Sequence, residues 1–261
     1  MIRAKKSLGQ NFLIDKNIID KIINIVSITD KEILEIGPGT GNLTREILRN
    51  NPTKMYLVEK DNFLAESLKE IIDERVKIFN EDILKFDESS LSKNSIIVFG
   101  NLPYNISTEI LSTWITNLKD NYWFSNLILM FQKEVADRII AQFNTSAYGR
   151  LSILANWRLK INKICDISPE SFSPRPKVQS SLIHFTPKKN FAEIKNPLNL
   201  EKITRIFFSH RRKMLKKPFN QIFNGNNDLL KKCNIDLNLR PQNLDFDTYY
   251  KLTIEYEKLR S

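Results

Sequence analysis

Cysteine, histidine and glycine are all scarce: the 261 residues include two Cys, two His and seven Gly. Cys165 and Cys233 stand 68 positions apart with no histidine nearby, so neither a disulfide framework nor a metal site is supported. A reducing, cytoplasmic protein without bound metal is expected. No apolar run reaches the length of a membrane-spanning helix. The first residues are basic, with no apolar stretch and cleavage site behind them, so no signal peptide is expected. What the chain does have is a hydrophobic fraction of 41%, enough for a full core. Its length suits one large domain, alone or with a smaller one.

Positive charge is plentiful but unevenly spread. The net charge is +10. Residues 188–261 carry 16 Lys and Arg against 8 Asp and Glu, whereas residues 1–187 are close to balance at 24 against 22. A basic excess confined to one region favours a polyanionic partner.

Short apolar runs alternate with longer mixed segments. Residues 31–37, 54–60, 76–82, 95–101 and 126–133 read as strands with little polar alternation, which fits strands covered on both faces. Residues 41–51, 61–72, 106–118 and 133–143 read as helices between them. This alternation predicts an α/β, doubly wound domain. Residues 153–167 and 179–187 read as two further strands, separated by a proline-rich loop at 168–178. Helical periodicity dominates from about 198, and the domain boundary is expected within 187–197.

Three of the seven glycines fall in EIGPGTG, residues 35–41, between the first predicted strand and a helix. Glycine there permits positive φ and close approach of a ligand to the backbone. The second strand ends at Glu59, placed to accept from ribose hydroxyls, and Asp82 follows the third strand, where it can accept from an adenine amino group. Carboxylates at successive strand ends point to an adenosine-containing ligand. A dinucleotide fingerprint would read G-x-G-x-x-G, and Pro38 removes one N–H from a phosphate cradle. The E-x-G-x-G-x-G pattern resembles the first motif of class I methyltransferases that use S-adenosylmethionine.

The stretch NLPY, Asn101–Tyr104, follows the fourth predicted strand. It resembles the active-site tetrapeptide of methyltransferases acting on adenine N6 or cytosine N4. An exocyclic base amine is a poor nucleophile because its lone pair is delocalised into the ring. Two acceptors aimed at its hydrogens, the Asn101 side-chain oxygen and the Leu102 carbonyl, favour a pyramidal nitrogen. Pro103 stiffens the turn, and Tyr104 offers a face on which an extruded base can stack.

With these residues placed, the chain closely resembles the bacterial ribosomal RNA adenine N6,N6-dimethyltransferases along nearly its whole length. KKSLGQNFL (5–13), EIGPGTGNLT (35–44), VEKD (58–61), NEDIL (80–84), FGNLPYNIS (99–107), FQKEVADRI (131–139), YGRLSILA (148–155), FSPRPKVQSS (172–181) and FFSHRRKML (207–215) are similar to that family's motifs in order. The resemblance implies a Rossmann-like methyltransferase sheet, mostly parallel with an antiparallel strand near its end, spanning residues 1–190. It implies a small all-helical, RNA-binding domain at 191–261. The implied reaction is dimethylation of two adjacent adenosines in the 3′-terminal hairpin of small-subunit (16S) ribosomal RNA, within an immature 30S subunit, by a monomer. The implied donor is S-adenosylmethionine, with no metal. Asn11 and Leu13 would pack against it with Gln10 close by, Gly37 and Gly39 would line it, Glu59 would hold the ribose and Asp82 the adenine. Asn101 would touch both donor and target amine. Phe172 would close on the target base opposite Tyr104. Arg3, Lys5 and Lys6 would make a basic arm leading into the cofactor contact, ordered by RNA or cofactor.

Residues 205–219 read as one basic helix carrying Arg205, Arg211, Arg212, Lys213, Lys216 and Lys217, with no acid. Phe207, Phe208, Met214 and Leu215 would face the core while the cations track the RNA backbone. Three other readings compete. A large-subunit RNA methyltransferase conferring macrolide-type resistance is disfavoured by NLPYNIS and the amount of C-terminal domain. A non-catalytic assembly checkpoint or organellar transcription factor is disfavoured by the intact Asn101–Tyr104 and Glu59. A nicotinamide dehydrogenase is disfavoured by Pro38.

Overall fold

The computed structural model describes Lys5, residues 9–118 and residues 122–260. Arg3, Lys6, Ser7 and Leu8 of the N-terminal motif lie outside the described residues.

The elements run β1 (Phe12–Leu13), α1 (Lys16–Ile23), β2 (Glu32–Ile36), α2 (Asn42–Arg49), β3 (Lys54–Val58), α3 (Asn62–Leu68), β4 (Val76–Phe79), β5 (Ile96–Asn101), α4 (Ser107–Asn117), β6 (Phe124–Gln132), α5 (Lys133–Ile140), α6 (Arg150–Arg158), β7 (Leu159–Ile167), β8 (Phe172–Ser173), β9 (Ser180–Pro187), α7 (Pro197–Ser209), α8 (Lys216–Phe223), α9 (Asn227–Cys233) and α10 (Phe246–Lys258). They fall into two compact units. One comprises residues 1–110, 118–136 and 161–187; the other comprises 111–117, 137–160 and 188–261.

The main sheet has the order β4-β3-β2-β5-β6-β9-β7. β2, β3, β4, β5 and β6 are parallel, and β9 runs antiparallel to β6. The doubly wound, mostly parallel architecture expected from the strand–helix alternation is therefore present. Successive strand residues point to opposite faces, yet Ile33 and Leu34 in β2 and Val98 and Phe99 in β5 are all fully buried. Both faces of the central strands are covered, as unbroken apolar runs require. Each such side chain contributes about 1.5–3 kcal/mol of burial. β7 alternates buried and open positions instead, as an edge strand does.

The chain order around β2 positions the site. β3 lies on one side of β2 and β5 on the other, so connections leave in opposite directions and open a crevice at the strands' carboxyl ends. Ile36 is paired with Gly100, which sets the glycine turn after β2 beside the NLPY turn after β5.

Two expectations change. Residues 153–158 belong to α6, and the strand begins only at Leu159. Ile153, Leu154, Ala155 and Trp157 are buried all round the helix, and a short apolar run of this kind does not separate buried helix from strand by periodicity. Residues 205–219 do not form one helix. α7 ends at Ser209, a turn occupies 210–215, and α8 starts at Lys216. Leu215 is fully buried at that turn, while Met214 is exposed rather than facing the core. α1 and the two-stranded sheet of β1 with β8 were not anticipated; the latter pairs Phe12 with Ser173 and Leu13 with Phe172.

The second unit is held by an aromatic core. Tyr148, Phe207, Phe219 and Tyr249 are fully buried, with edge-on contacts from Phe207 to Tyr249 and from Tyr148 to Phe246. Tyr249 Oη donates to the Pro241 carbonyl and Tyr250 Oη to the Ile153 carbonyl, at 2.8 and 2.9 Å, whereas the buried Tyr148 Oη has no partner among the described residues.

Candidate active site

Gly37, Gly39 and Gly41 hold φ of 63°, 59° and 74°. Gly41 is the N-cap of α2 and makes no side-chain cap, which leaves backbone N–H groups at that helix start for a ligand or solvent. A Cβ on Gly39 would fall 2.7 Å from Cδ1 of Phe12. The Phe12 ring is thus packed directly on the glycine turn, a contact that the sequence did not reveal. Gly39→Ala combines that clash with left-handed strain of about 1–2 kcal/mol. Denaturant titration should show a loss of at least that size, whereas Gly149→Ala, with nothing nearer than 3.9 Å, should lose less.

Glu59 lies at the tip of β3, 6% exposed. Its two oxygens accept from Gly39 N at 3.2 Å and from Asp61 N at 2.9 Å. Burial raises the pKa of its carboxyl, and the two N–H donors partly offset the rise. Asp61 caps α3 through Phe63 N and accepts from Lys5 Nζ at 2.9 Å and Gln10 Nε2 at 3.0 Å. Burial works to raise its pKa, but the Lys5 and Gln10 donors hold it below the usual carboxylate range. These bonds tie Lys5 and Gln10 to the rim of the Glu59 pocket.

Asn101 ends β5. Its Nδ2 donates to the Asn11 carbonyl at 2.6 Å. That bond fixes the amide's orientation, leaving Oδ1 with no protein donor among the described residues. Tyr104 Oη is bonded to Ser180 Oγ at 2.6 Å, and burial raises the pKa of the phenol. The hydroxyl is thereby occupied by the scaffold. The 103–106 turn is closed by Ile106 N donating to the Pro103 carbonyl at 3.1 Å.

A cavity of about 140 Å³ is lined by Gln10, Asn11, Phe12, Gly37, Gly39, Glu59, Lys60, Leu64, Leu84 and the Asn101–Ile106 turn. Most of the expected cofactor residues meet here, with Asn101, Leu102, Pro103 and Tyr104. A second cavity of about 470 Å³ shares Gly9, Gln10, Asn11 and Tyr104 with it and adds Gln132 and residues 174–178. Leu13 is buried and lines a smaller pocket of about 20 Å³ with Glu35, Gly37 and Asn101.

Two expected residues stand elsewhere. Asp82 caps a short 3₁₀ turn through Leu84 N at 3.2 Å and is paired with Lys60 Nζ at 2.7 Å. The Lys60 bond holds its pKa down. Its neighbours Lys60 and Leu84 line the cavity; Asp82 itself does not. Phe172 is 2% exposed, sits in the apolar core cluster with Leu13 and Ile167, and lines neither cavity. In this geometry its ring anchors the proline-rich loop. Reasoning from sequence assigned no role to Phe12, Lys60, Asp61, Leu64 and Leu84, although all but Leu64 lay within quoted motifs.

The apolar wall from Leu64, Leu84 and Ile106, the ribose-type acceptor at Glu59 and the side-chain-free turn at Gly37 and Gly39 fit an adenosine bearing an amino-acid tail. Among the described residues no cluster of three His, Cys, Asp or Glu is placed to hold a metal, and no helix is long and apolar enough to cross a membrane.

In the second unit, Arg205, Arg212, Lys213, Lys216 and Lys217 are exposed. Arg211 is half-buried, and its guanidinium donates to the carbonyls of Thr145 and Ser146. Lys216 and Lys217 occupy the first turn of α8, the end where the helix dipole disfavours cations. A chain that keeps cations there gains little helix stability from them.

A family model described as "Ribosomal RNA adenine dimethylase" matches residues 1–258. The chain is 64% identical to "Ribosomal RNA small subunit methyltransferase A" of Pelagibacter ubique over 99% of both chains. Its fold matches a dimethyladenosine transferase from Plasmodium falciparum with a TM-score of 0.81 at 28% identity, over 95% of this chain and 98% of the other. The 23S rRNA methyltransferase ErmE matches with a TM-score of 0.69 at 20% identity, over 96% and 100%. At that identity the likeness is one of fold.

Proposed function

The chain belongs to the ribosomal RNA adenine dimethylase family, and on that premise we propose that it uses S-adenosylmethionine to dimethylate N6 of two adjacent adenosines near the 3′ end of small-subunit ribosomal RNA. The observation that carries this reading is the Asn101 amide. Its nitrogen is tied to the Asn11 carbonyl, which leaves its oxygen available as an acceptor, and Leu102 lines the same cavity. The Asn101 oxygen and the Leu102 carbonyl, acting as a pair of acceptors, would suit the two hydrogens of an exocyclic amine.

S-adenosylmethionine, when bound, supplies a methyl group already made electrophilic by its sulfonium. Glu59 would hold the ribose hydroxyls, Leu64 and Leu84 the adenine faces, and Gly37 and Gly39 the backbone approach. Asn101 and the Leu102 carbonyl orient the target nitrogen so that its lone pair leaves the ring plane. Tyr104 presents a ring face to the base while Ser180 holds its hydroxyl. The gain comes from orientation and preorganised dipoles, with no strong base required.

The RNA is held, in this reading, by the basic residues of 191–261, and the methyltransferase portion is residues 1–190. The substrate is an immature 30S particle in the cytoplasm, met by a monomer. Incubation with labelled donor should place dimethyladenosine at two adjacent positions near the 3′ end of RNA in immature small subunits and leave naked large-subunit RNA unlabelled. Label on the large-subunit RNA alone would overturn the reading.

A second outcome concerns the exposed cations. Arg212→Ala, Lys213→Ala and Lys216→Ala together should lower the salt dependence of RNA binding by about 2 in log–log slope, at roughly 0.7 per phosphate contact, with donor affinity unchanged. Titration at four salt concentrations reads this directly; an unaltered slope would remove these residues from the interface. Arg211 is left out because its guanidinium holds the 145–146 loop.

A further inference from the structure

We infer that Phe143 stacks on an unpaired base of the RNA substrate, at a basic surface built from the 142–146 loop and the 210–215 turn; this deepens the functional reading above and rests on it. Phe143 is 44% exposed. A lone exposed apolar side chain needs no explanation, but this one stands on a loop that is held in place from several sides. Asn144 adopts φ 67° and donates its N–H to the Gln242 carbonyl at 2.8 Å. Asn243 Nδ2 donates to Asn144 Oδ1 at 2.9 Å. Arg211 donates to the Thr145 and Ser146 carbonyls from the 210–215 turn. Thr145 Oγ1 donates to the Gln142 carbonyl at 2.6 Å. Phe143 lies between these fixed points, and its own ring is left open.

The charge around it selects the partner. Residues 142–146 carry no acid, and residues 205–217 include six cations and no acid. Arg212 and Lys213 follow directly on the Arg211 clamp and are exposed. Met214, 57% exposed, adds a second open apolar side chain on the same turn. A protein surface seeking an apolar ring would have to accept these cations without an acid to match them. A nucleic acid meets both features: phosphates for the cations and a base face for the ring. Stacking on an aromatic ring needs an unpaired base, so the contact is with a loop, bulge or end rather than a continuous duplex.

The test separates stacking from charge. Binding of the full chain to an RNA carrying the small-subunit 3′-terminal hairpin and its single-stranded flanks is measured across a range of salt. Phe143→Ala should weaken binding roughly 5- to 150-fold, the range for loss of one stacked base, with the salt slope unchanged. Phe143→Trp should retain the wild-type affinity. Binding of Phe143→Ala within twofold of wild type, or a loss accompanied by a reduced salt slope, would overturn the inference. If the wild-type chain bound the hairpin no better than an unrelated RNA of equal length, the functional reading would fall and this contact with it.

Discussion

Asn101→Ala is expected to reduce the turnover number for methyl transfer by about 10²–10³, the loss that follows removal of one preorganised dipole aimed at a reacting centre. The side chain does two jobs in one plane. Nδ2 holds the Asn11 carbonyl at 2.6 Å, which ties residues 9–13 to the end of β5, and in the proposed reaction Oδ1 would accept from the target amine. Alanine removes both. Asn101→Asp separates them: it keeps an acceptor at the Oδ1 position but sets a carboxylate oxygen against the Asn11 carbonyl. The aspartate variant should therefore show a raised KM for the donor, because the Asn11 segment loses its tether, and a smaller fall in the turnover number than alanine. Single-turnover kinetics with saturating donor distinguish the two. Equal turnover by wild type and Asn101→Ala would remove the amide from the chemistry.

The parts of this arrangement visible in the sequence are those set by strand ends. Glu59 and Asn101 terminate apolar runs, and an apolar run ending in a polar residue places that residue at the rim of a sheet whatever the later packing. The glycine turn was legible for the same reason. What escaped depends on contacts between distant segments. Asn101 and Asn11 are 90 positions apart, and nothing in either neighbourhood encodes their bond. Phe12 read as part of a motif, but its ring lies on Gly39 because β1 pairs with β8, a two-residue ladder too short for any pattern to announce. Phe172 was expected at the base and is in the core for that same reason. Residues 153–158 failed differently: Ile153, Leu154 and Ala155 are apolar, and burial on all sides erased the periodicity that separates helix from strand. Arg211 was grouped with the free cations by composition, yet its guanidinium is committed to the 145–146 loop.

Glu59→Ala should abolish measurable donor binding at concentrations that saturate wild type. Hydrogen bonds to a charged group contribute about 1.5–3 kcal/mol each, and a carboxylate meeting both ribose hydroxyls would make two, so a fall of at least 10² in affinity is expected. Alanine also strands Gly39 N and Asp61 N, which now donate to the carboxylate. Glu59→Gln isolates the charge. It preserves size and one acceptor, so it should bind the donor more tightly than alanine and more weakly than wild type. Acidity makes the same point without mutation. Burial raises the Glu59 pKa, so protonation begins at a pH above the ordinary carboxylate value of 4.5 and donor affinity should decline from there downwards. Folding stability of the empty protein moves the other way. Glu35, fully buried and bonded to Thr44, is pushed up to about 8, chiefly by burial. Where a folded pKa exceeds the unfolded one, the native state binds more protons between the two values. The Glu35 contribution is therefore fully present at and below pH 4.5 and is lost as pH rises towards 8, and Glu35→Gln should flatten that slope while leaving the acid-side loss of donor affinity in place. Calorimetric titration of the donor from pH 5 to 8, beside thermal melts over the same range, gives both curves. A Glu35→Gln protein with an unchanged stability slope would show that some other buried acid carries it, and a Glu59→Gln protein that binds as wild type would take the ribose away from this carboxylate.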